Sequence, residues 1–264
     1  MSVRILTSDQ YINILDKLFK LGISAEIKKI HKNGPEYTSL MVCFLNHNLK
    51  SAECLLKLSN SFEKRYFPTT VGYTIVRPMF EIDVNAHYIS KDPIIRAHQY
   101  IEYDYIVKKR QMDACTKHMN SNKPDWREGM EMTWKDDWSD IQQEINSKFD
   151  LVHSRFEKVT KNGKHILYNN WSGKSIREMA IEVDHEEAYD IFYADLSSFT
   201  HVDVRLADRF LRLNRSGMSW STEAKYYDIN SVFRYADIFL SCFLSLFGKT
   251  FDLWCDKEVH KCLG

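Results

Sequence analysis

The sequence predicts an all-α protein, a multi-helix bundle with long antiparallel helices. Apolar residues recur every three or four positions over most of the chain, which is the spacing of an amphipathic helix. The 264 residues include 9 Gly and 5 Pro, too few turn residues for a many-stranded barrel or sandwich. A hydrophobic content of 44% with 13% aromatic residues is sufficient for a core and excludes wholesale disorder. We expect one helical domain over 1–264, in which 121–170 is a candidate charged, Trp-rich excursion.

Helix-stop signals separate four long helices in the N-terminal half. Asn33-Gly34-Pro35 ends the first helix, Phe67-Pro68 ends the second, and Lys91-Asp92-Pro93 ends the third. Pro78 lies inside the third helix and predicts either a kink after Arg77 or the start of a second helical segment. The predicted spans are 8–32, 36–65, 70–90 and 93–120.

The C-terminal half is predicted to contain one extended segment among helices. Ser175 and Glu178 have capping-box spacing and mark the start of a helix. The next helix carries polar residues through His201, and a further helix is expected over 202–213. The other predicted spans are a helix at 137–157, an extended segment at 165–171, a loop at 215–222 and a Phe-rich core helix at 223–252.

Charge and composition exclude several classes of function. Lys plus Arg and Asp plus Glu number 36 each, so no overall positive field attracts nucleic acid or an anionic membrane. The six Cys form no C-x-x-C pair, which is typical of free thiols in a reducing cytosol. The longest apolar run, 238–247, is far shorter than the roughly 20 residues that cross a bilayer, and the N-terminus lacks a signal-peptide pattern. We therefore expect a cytoplasmic protein without a membrane partner.

The most informative segment is a polar stripe that ends in a histidine. The stripe consists of Tyr189, Tyr193, Ser197 and His201. These residues recur every four positions, so on a helix their side chains line one face. Burying such a stripe beside apolar neighbours is costly unless every polar group finds a partner. The stripe is therefore either a satisfied core network or part of a site.

A second polar stripe lies on the third predicted helix, which is otherwise apolar. Arg77, Glu81 and Asn85 are four residues apart and share a face. A buried Arg needs an acceptor, and Glu81 is the local one. One interpretation is a buried ion pair that fixes the packing register. In the other, Arg77 binds an anion while Glu81 orients the guanidinium, and the sequence leaves both open.

A basic ridge follows His201. Its arginines recur at helical spacing along and just after the predicted 202–213 helix, and they are Arg205, Arg209, Arg212 and Arg215. Arginine presents a planar fork that suits phosphate, and a neighbouring histidine can donate or accept a proton in phosphodiester chemistry. The ridge is therefore a candidate RNA-binding patch. The alternative is a solvated helix face.

Motifs that would name a cofactor or a metal are missing from the sequence. There is no Walker loop, G-x-G-x-x-G, G-x-S-x-G or H-E-x-x-H, which removes most nucleotide-cofactor, α/β-hydrolase and zincin interpretations. The run Asp184-His185-Glu186-Glu187 has the composition of a metal site. Adjacent loop residues rarely converge on one ion, however, and an acidic helix start is the simpler interpretation. We predict no metal and no other cofactor.

Three sequence pieces, in order along the chain, resemble a known family. They are R-x3-E at Arg77 and Glu81, WSGKSIREMA at 171–180, and Y-x3-Y-x2-L-S-x3-H at 189–201. Over about residues 40–250 the chain resembles an uncharacterised bacterial all-helical family of unknown function. By distant analogy it is similar to HEPN-type helical proteins, many of which are ribonucleases of toxin–antitoxin and phage-defence systems. The chain departs from the HEPN pattern because no Arg is followed by His after four to six residues.

The resemblance and the polar stripes together support two hypotheses. In the first, the protein is a metal-independent, RNase-like effector in which His201 is the general acid or base. Arg77 and Arg205 then hold the scissile phosphate, and Glu81 orients Arg77. Further contacts to RNA or to these groups are expected from Tyr193, Ser197, Asn85, Arg209 and Arg212. In the second, the chain is a non-enzymatic helical module that acts through a protein partner or as a homo-oligomer.

Overall fold

The computed structural model confirms an all-α multi-helix bundle. It describes residues 6–27, 31–119, 138–193, 195–197, 211–214, 217–220, 226–254 and 256–264. The chain divides into two compact units, one formed by Met1–Pro93 with Ile176–Gly264 and the other by Ile94–Ser175. The predicted excursion over 121–170 falls within the second unit, and its residues 121–137 lie outside the described residues. A single domain over 1–264 stays a prediction.

Long helices dominate the described elements. In chain order, these are α1 (Ser8–Ile23), α2 (Pro35–Ser61), a 3-10 turn (Lys64–Tyr66), α3 (Thr69–Ser90), α4 (Pro93–Met119), α5 (Trp138–Val152), a second 3-10 turn (His153–Phe156), β1 (Glu157–Val159), β2 (His165–Leu167), α6 (Ile176–Glu182), α7 (Glu186–Ala188), a π-helical turn (Tyr189–Tyr193), β3 (Leu211–Asn214), β4 (Gly217–Trp220), α8 (Tyr226–Phe251) and α9 (Asp256–Leu263). Strand β1 pairs antiparallel with β2, and β3 pairs antiparallel with β4.

In the first unit, α2 runs antiparallel to both α1 and α3. Lys64, just after α2, forms an ion pair of 2.6 Å with Asp9 in the first turn of α1. At the other end of α2, the Tyr37 hydroxyl lies 2.8 Å from Ser90 Oγ at the end of α3. The predicted antiparallel arrangement is therefore present among the first three helices.

Helix α8 runs parallel to α3 and approaches it closely. The Tyr73 hydroxyl donates to the carbonyl oxygen of Asp228 over 3.5 Å, which joins the first turns of the two helices. Further along, the Phe80 and Phe239 rings lie 5.1 Å apart. A Cβ atom at Gly72 would lie 2.8 Å from Val232 Cγ1, so the absence of a side chain at Gly72 permits this approach.

The centre of the first unit's core is formed by the aromatic residues of α8. They share an exposure of at most 1%, and they are Phe233, Phe239, Phe243 and Phe247. Burial of each such side chain stabilises the fold by about 1.5–3 kcal/mol relative to leaving it in water. The sequence-based expectation of a Phe-rich core helix is confirmed.

The second unit has a small core of its own. Phe156 is 1% exposed, and its ring lies 5.3 Å from that of Tyr103 on α4. The Tyr103 hydroxyl and Arg110 Nη2 both donate to the carbonyl oxygen of Tyr168, over 2.9 Å and 2.6 Å. These contacts tie α4 to the chain that follows β2.

Three sequence-based boundaries are wrong. The first helix ends at Ile23 and not near residue 32, because the Ser24 N–H and hydroxyl both bond back to carbonyls of the last turn. The end of the predicted 202–213 helix and part of the predicted 215–222 loop form the hairpin β3–β4. Leucines alternate with polar residues in Leu211–Asn214, which is the two-residue period of a strand. Pro78 lies inside α3, so the alternative in which it starts a second helical segment is wrong, whereas a kink after Arg77 stays a prediction.

Helix α8 also has the length and composition of a membrane span. Its residues Asp228–Phe251 reach a mean hydropathy of 1.3, and 61% of the most apolar window is buried inside the protein. A core helix passes the same test, so the finding is weak evidence for a membrane. The expectation of no membrane partner stays a prediction.

An unpaired carboxyl group is buried in α8. Asp237 is 4% exposed, and neither of its oxygens has a hydrogen-bond partner among the described residues. Burial raises the pKa of Asp237 to about 9, because removal from water disfavours the charged form. The folded protein therefore holds this proton over a pH range in which the unfolded chain has released it.

We expect this group to make the protein less stable as pH rises from 5 to 8. The pKa of Asp237 in the folded protein lies above its value of 3.8 in the unfolded chain. The contribution of Asp237 to stability is therefore greatest below pH 3.8, and it falls by about 1.4 kcal/mol per pH unit between pH 3.8 and about 9. Asp237→Asn removes the titration and should flatten this dependence in denaturant unfolding. Asp16→Asn, at an exposed carboxylate paired with Lys20, is the control and should keep the wild-type slope. Equal slopes in all three proteins would contradict the assignment.

Candidate functional site

Helix α3 carries polar groups on two flanks of an otherwise apolar surface. Arg77 and Glu81 lie on one flank, and Asp83 and His87 lie on the other. On the same helix, Val76, Met79 and Phe80 are fully buried. Both polar pairs meet side chains from the segment 185–193, which is about a hundred residues away in sequence.

The Arg77–Glu81–Tyr193 cluster joins α3 to the π-helical turn. Arg77 Nε donates to Glu81 Oε1 over 2.9 Å, and Arg77 Nη2 donates to the Tyr193 hydroxyl over 3.0 Å. The Tyr193 hydroxyl in turn donates to Glu81 Oε1 over 3.2 Å. The three groups thus form a closed ring of hydrogen bonds. The Arg77 side chain is 17% exposed and that of Glu81 is 37% exposed, so the cluster reaches solvent on the Glu81 side.

Aromatic rings hold Tyr193 in this position. Its ring stacks on that of Tyr189 at 4.6 Å with an interplanar angle of 18°, and it lies 5.6 Å from the ring of Phe80. The guanidinium carbon of Arg77 lies 5.2 Å from the centre of the Tyr193 ring, a cation–π distance. The predicted stacking of Tyr189 and Tyr193 occurs in a π-helical turn, not in an α-helix.

The environment favours the charged form of Arg77 and the neutral form of Tyr193. Burial works against the guanidinium charge, but the hydrogen bond to Glu81, the Glu81 charge and the hydrogen bond to Tyr193 outweigh it and raise the pKa of Arg77. Burial, together with the Glu81 charge, raises the pKa of Tyr193. The cluster therefore holds a fixed cation and a protonated phenol around the Glu81 carboxylate, and a guanidinium cation is a group that stabilises an anion.

A second polar cluster was missed by the sequence analysis. Asp83 is 1% exposed, and its two carboxylate oxygens lie 3.0 Å from His185 Nε2 and 3.2 Å from His87 Nδ1. The two imidazole rings lie 4.7 Å apart. In sequence, His185 stands among acidic residues, Asp184, Glu186 and Glu187, none of which belongs to this cluster. Its spatial partners lie on α3, at i and i+4, and that spacing is the signal that could have indicated them.

The end of α6 explains why His185 turns back toward α3. The N–H of Asp184 donates to the carbonyl of Ile181, and the N–H of His185 donates to that of Ala180. These two bonds form a Schellman motif, which requires a left-handed residue after the helix. Asp184 fills that place with φ of 61°, a conformation that Asp adopts more readily than most residues.

The buried carboxylate and imidazole affect each other's protonation. Burial alone would raise the pKa of Asp83, but the approach of His185 and His87 holds it below its usual value. Burial lowers the pKa of His185, and Asp83 more than compensates, so that it is raised overall. Burial and the Asp83 charge also raise the pKa of the Cys242 thiol to about 12, so this thiol is neutral.

The structure describes some of the remaining predicted site residues and not others. Asn85 Nδ2 donates to the backbone carbonyl of Glu81 over 2.7 Å, and Ser197 lies in a helical stretch at 195–197. His201, Arg205 and Arg209 lie outside the described residues. Arg212 lies on β3, so the prediction that it belongs to a helical ridge is wrong.

The sequence matches the model of the family of unknown function DUF5677 over residues 37–218. The chain belongs to this family. The DUF5677 match spans α2 and α3 and includes both polar clusters, and it confirms the resemblance to an uncharacterised family of unknown function. The comparisons with curated proteins and with solved structures gave no match.

We expect Tyr193→Phe to lower the free energy of unfolding by about 1–2 kcal/mol, because it removes one acceptor from Arg77 and one donor from Glu81. Tyr189→Phe is the matched control. The Tyr189 ring stacks on Tyr193, but its hydroxyl has no hydrogen bond among the described residues. Chemical denaturation measures both. Equal losses in the two variants would show that the phenol hydrogen bonds do not stabilise the cluster.

Proposed function

We propose that the protein is an RNA-cleaving effector whose site is built around the Arg77–Glu81–Tyr193 cluster. The chemical step uses no metal ion. A cytoplasmic role in bacterial defence or as a toxin-like protein is part of the proposal and follows from the resemblance to HEPN-type proteins. The cluster supports the proposal because it combines a permanent cation with a protonated phenol at a position that reaches solvent.

Each group has a role that its chemistry allows. Arg77 and Arg205 hold the scissile phosphate, since a guanidinium fork suits its oxygens. His201 transfers the proton as general acid or base. Glu81 keeps Arg77 in orientation through its 2.9 Å hydrogen bond. Ser197, Asn85, Arg209 and Arg212 contribute contacts to RNA or to these groups.

The main support for the proposal is the contact between Arg77 and Tyr193. The guanidinium of Arg77 and the hydroxyl of Tyr193 are 116 positions apart in sequence and lie 3.0 Å apart in the structure. The segment that supplies Tyr193 continues through Ser197 towards His201 and the arginines. The same segment that meets Arg77 therefore leads to the proposed general acid or base.

A second candidate function is the binding of a protein partner. A cavity of about 490 Å³ in the second unit is lined partly by apolar residues of α4 and α5, including Met112, Ile141 and Ile145. In this account Glu81 neutralises Arg77 within the protein, and the cluster fixes packing. A buried ionic network of this kind needs no ligand to account for it.

Cleavage of RNA by the purified protein tests the first candidate. We expect the wild type to degrade RNA in the presence of a chelator, and His201→Ala and Arg77→Lys to lose at least about 100-fold in rate, as is typical for loss of a general acid or base or of a fixed charge donor. His47→Ala and Arg65→Lys, at exposed positions on α2 and the following 3-10 turn, are the matched controls and should retain activity.

Thermal melting of each variant separates a chemical role from a structural one. If Arg77→Lys and His201→Ala melt like the wild type and lose cleavage, the proposal is supported. If the wild type does not cleave RNA, or the variants and controls cleave equally, the ribonuclease proposal is wrong and the binding module is favoured.

A further inference from the structure

The cluster of Asp83, His87 and His185 has the chemistry of a metal site. Each residue offers one ligand atom, and the three atoms lie within 4.8 Å of one another. They come from two separate parts of the chain. Asp83 and His87 lie one turn apart on α3, and His185 follows the Schellman motif at the end of α6.

Three buried atoms of this cluster lack hydrogen bonds. Neither carboxylate oxygen of Asp83 has a hydrogen-bond partner among the described residues, and the same holds for His185 Nε2. Nε2 and Oδ2 nevertheless lie 3.0 Å apart. Two ligands of one shared ion also lie at about this distance from each other, because each is bonded to the ion between them. A buried, unsatisfied carboxylate is otherwise costly.

Backbone carbonyls orient both imidazoles. His185 Nδ1 lies 2.7 Å from the carbonyl oxygen of Val183, and His87 Nδ1 lies 2.9 Å from that of Asp83. A carbonyl oxygen only accepts, so His185 Nδ1 carries a proton and His185 Nε2, 3.0 Å from Asp83 Oδ2, is left as the ring atom that can coordinate. The His87 ring lies on the other side of the carboxylate, with Nδ1 3.2 Å from Asp83 Oδ1. Metal-binding histidines usually donate their other N–H to a carbonyl or a carboxylate in this way.

We infer that Asp83, His87 and His185 bind one divalent transition-metal ion. Two imidazoles and one carboxylate suit Zn²⁺, Fe²⁺, Co²⁺ or Ni²⁺, whereas Ca²⁺ and Mg²⁺ prefer oxygen ligands. With bonds of about 2.1 Å, donor atoms lie about 3.0 Å apart at a right angle and about 3.4 Å apart at a tetrahedral angle. The 3.0 Å between Nε2 and Oδ2 matches the right angle, which leaves room for further ligands.

The ion would fasten the segment 185–193 to α3. It would fix the residues that lead directly to Tyr189 and Tyr193, and through them the contact with Arg77. The ion takes no part in the proposed chemical step, because its three ligands are not among the residues assigned to that step. Metal binding can therefore be present when RNA cleavage is absent, and the two tests give separate answers.

Calorimetric titration of the metal-stripped full-length protein with Zn²⁺, and separately with Co²⁺, tests the inference. We expect one ion per chain and a rise in melting temperature with added metal, since an ion that binds only the folded state stabilises it. His185→Gln and Asp83→Asn should weaken binding by at least about 100-fold, beyond the 10- to 100-fold that loss of a ligand's orienting partner costs.

His98→Gln is the matched control, and His87→Gln is a further ligand variant that is expected to fold. The exposed side chain of His98 pairs with Glu102 over 2.9 Å, and this histidine–carboxylate pair lies outside the cluster. Its variant should bind metal like the wild type. His87 is more exposed than Asp83, so His87→Gln is the variant most compatible with folding. If the wild type binds no ion, or if folded His87→Gln and the wild type bind equally, the cluster is a buried ion pair and the inference is overturned.

Discussion

The charge of Asp83 is the constraint on which the local structure depends. A carboxylate that is 1% exposed inside a helical bundle needs close polar partners, because an isolated buried charge is strongly destabilising. The groups nearest its two oxygens are His87 on the same helix and His185 from the distant segment. The burial of one charge on α3 therefore holds the end of α6 against it.

The second flank of α3 repeats this arrangement with different chemistry. Arg77 is neutralised by Glu81 and bonded to Tyr193, so the same distant segment is held at two points by polar contacts. Between the two points, Phe80 packs against both Tyr189 and Tyr193. Helix α3 is thus the element on which both the proposed RNA site and the inferred metal site depend.

The helices were predictable because their apolar residues repeat with a clear period over many turns. The contact of Arg77 with Glu81 was predictable for the same reason, since residues at i and i+4 share a face. The hairpin β3–β4 was not, because each strand is only four residues long and its alternation is too short to outweigh a neighbouring helical pattern. His185 was misjudged because local sequence contains nothing about α3. Only the left-handed turn at Asp184 brings the two together.

The most direct measurement is amide hydrogen exchange of the segment 183–193 in the wild type and in Asp83→Asn. We expect faster exchange over 185–193 in the variant, because the neutral amide no longer holds His185 against α3. Exchange in α2 and in α5 should be unchanged. Unaltered exchange over 185–193, or an equal loss of protection throughout the first unit, would contradict the claim that Asp83 holds this segment in place.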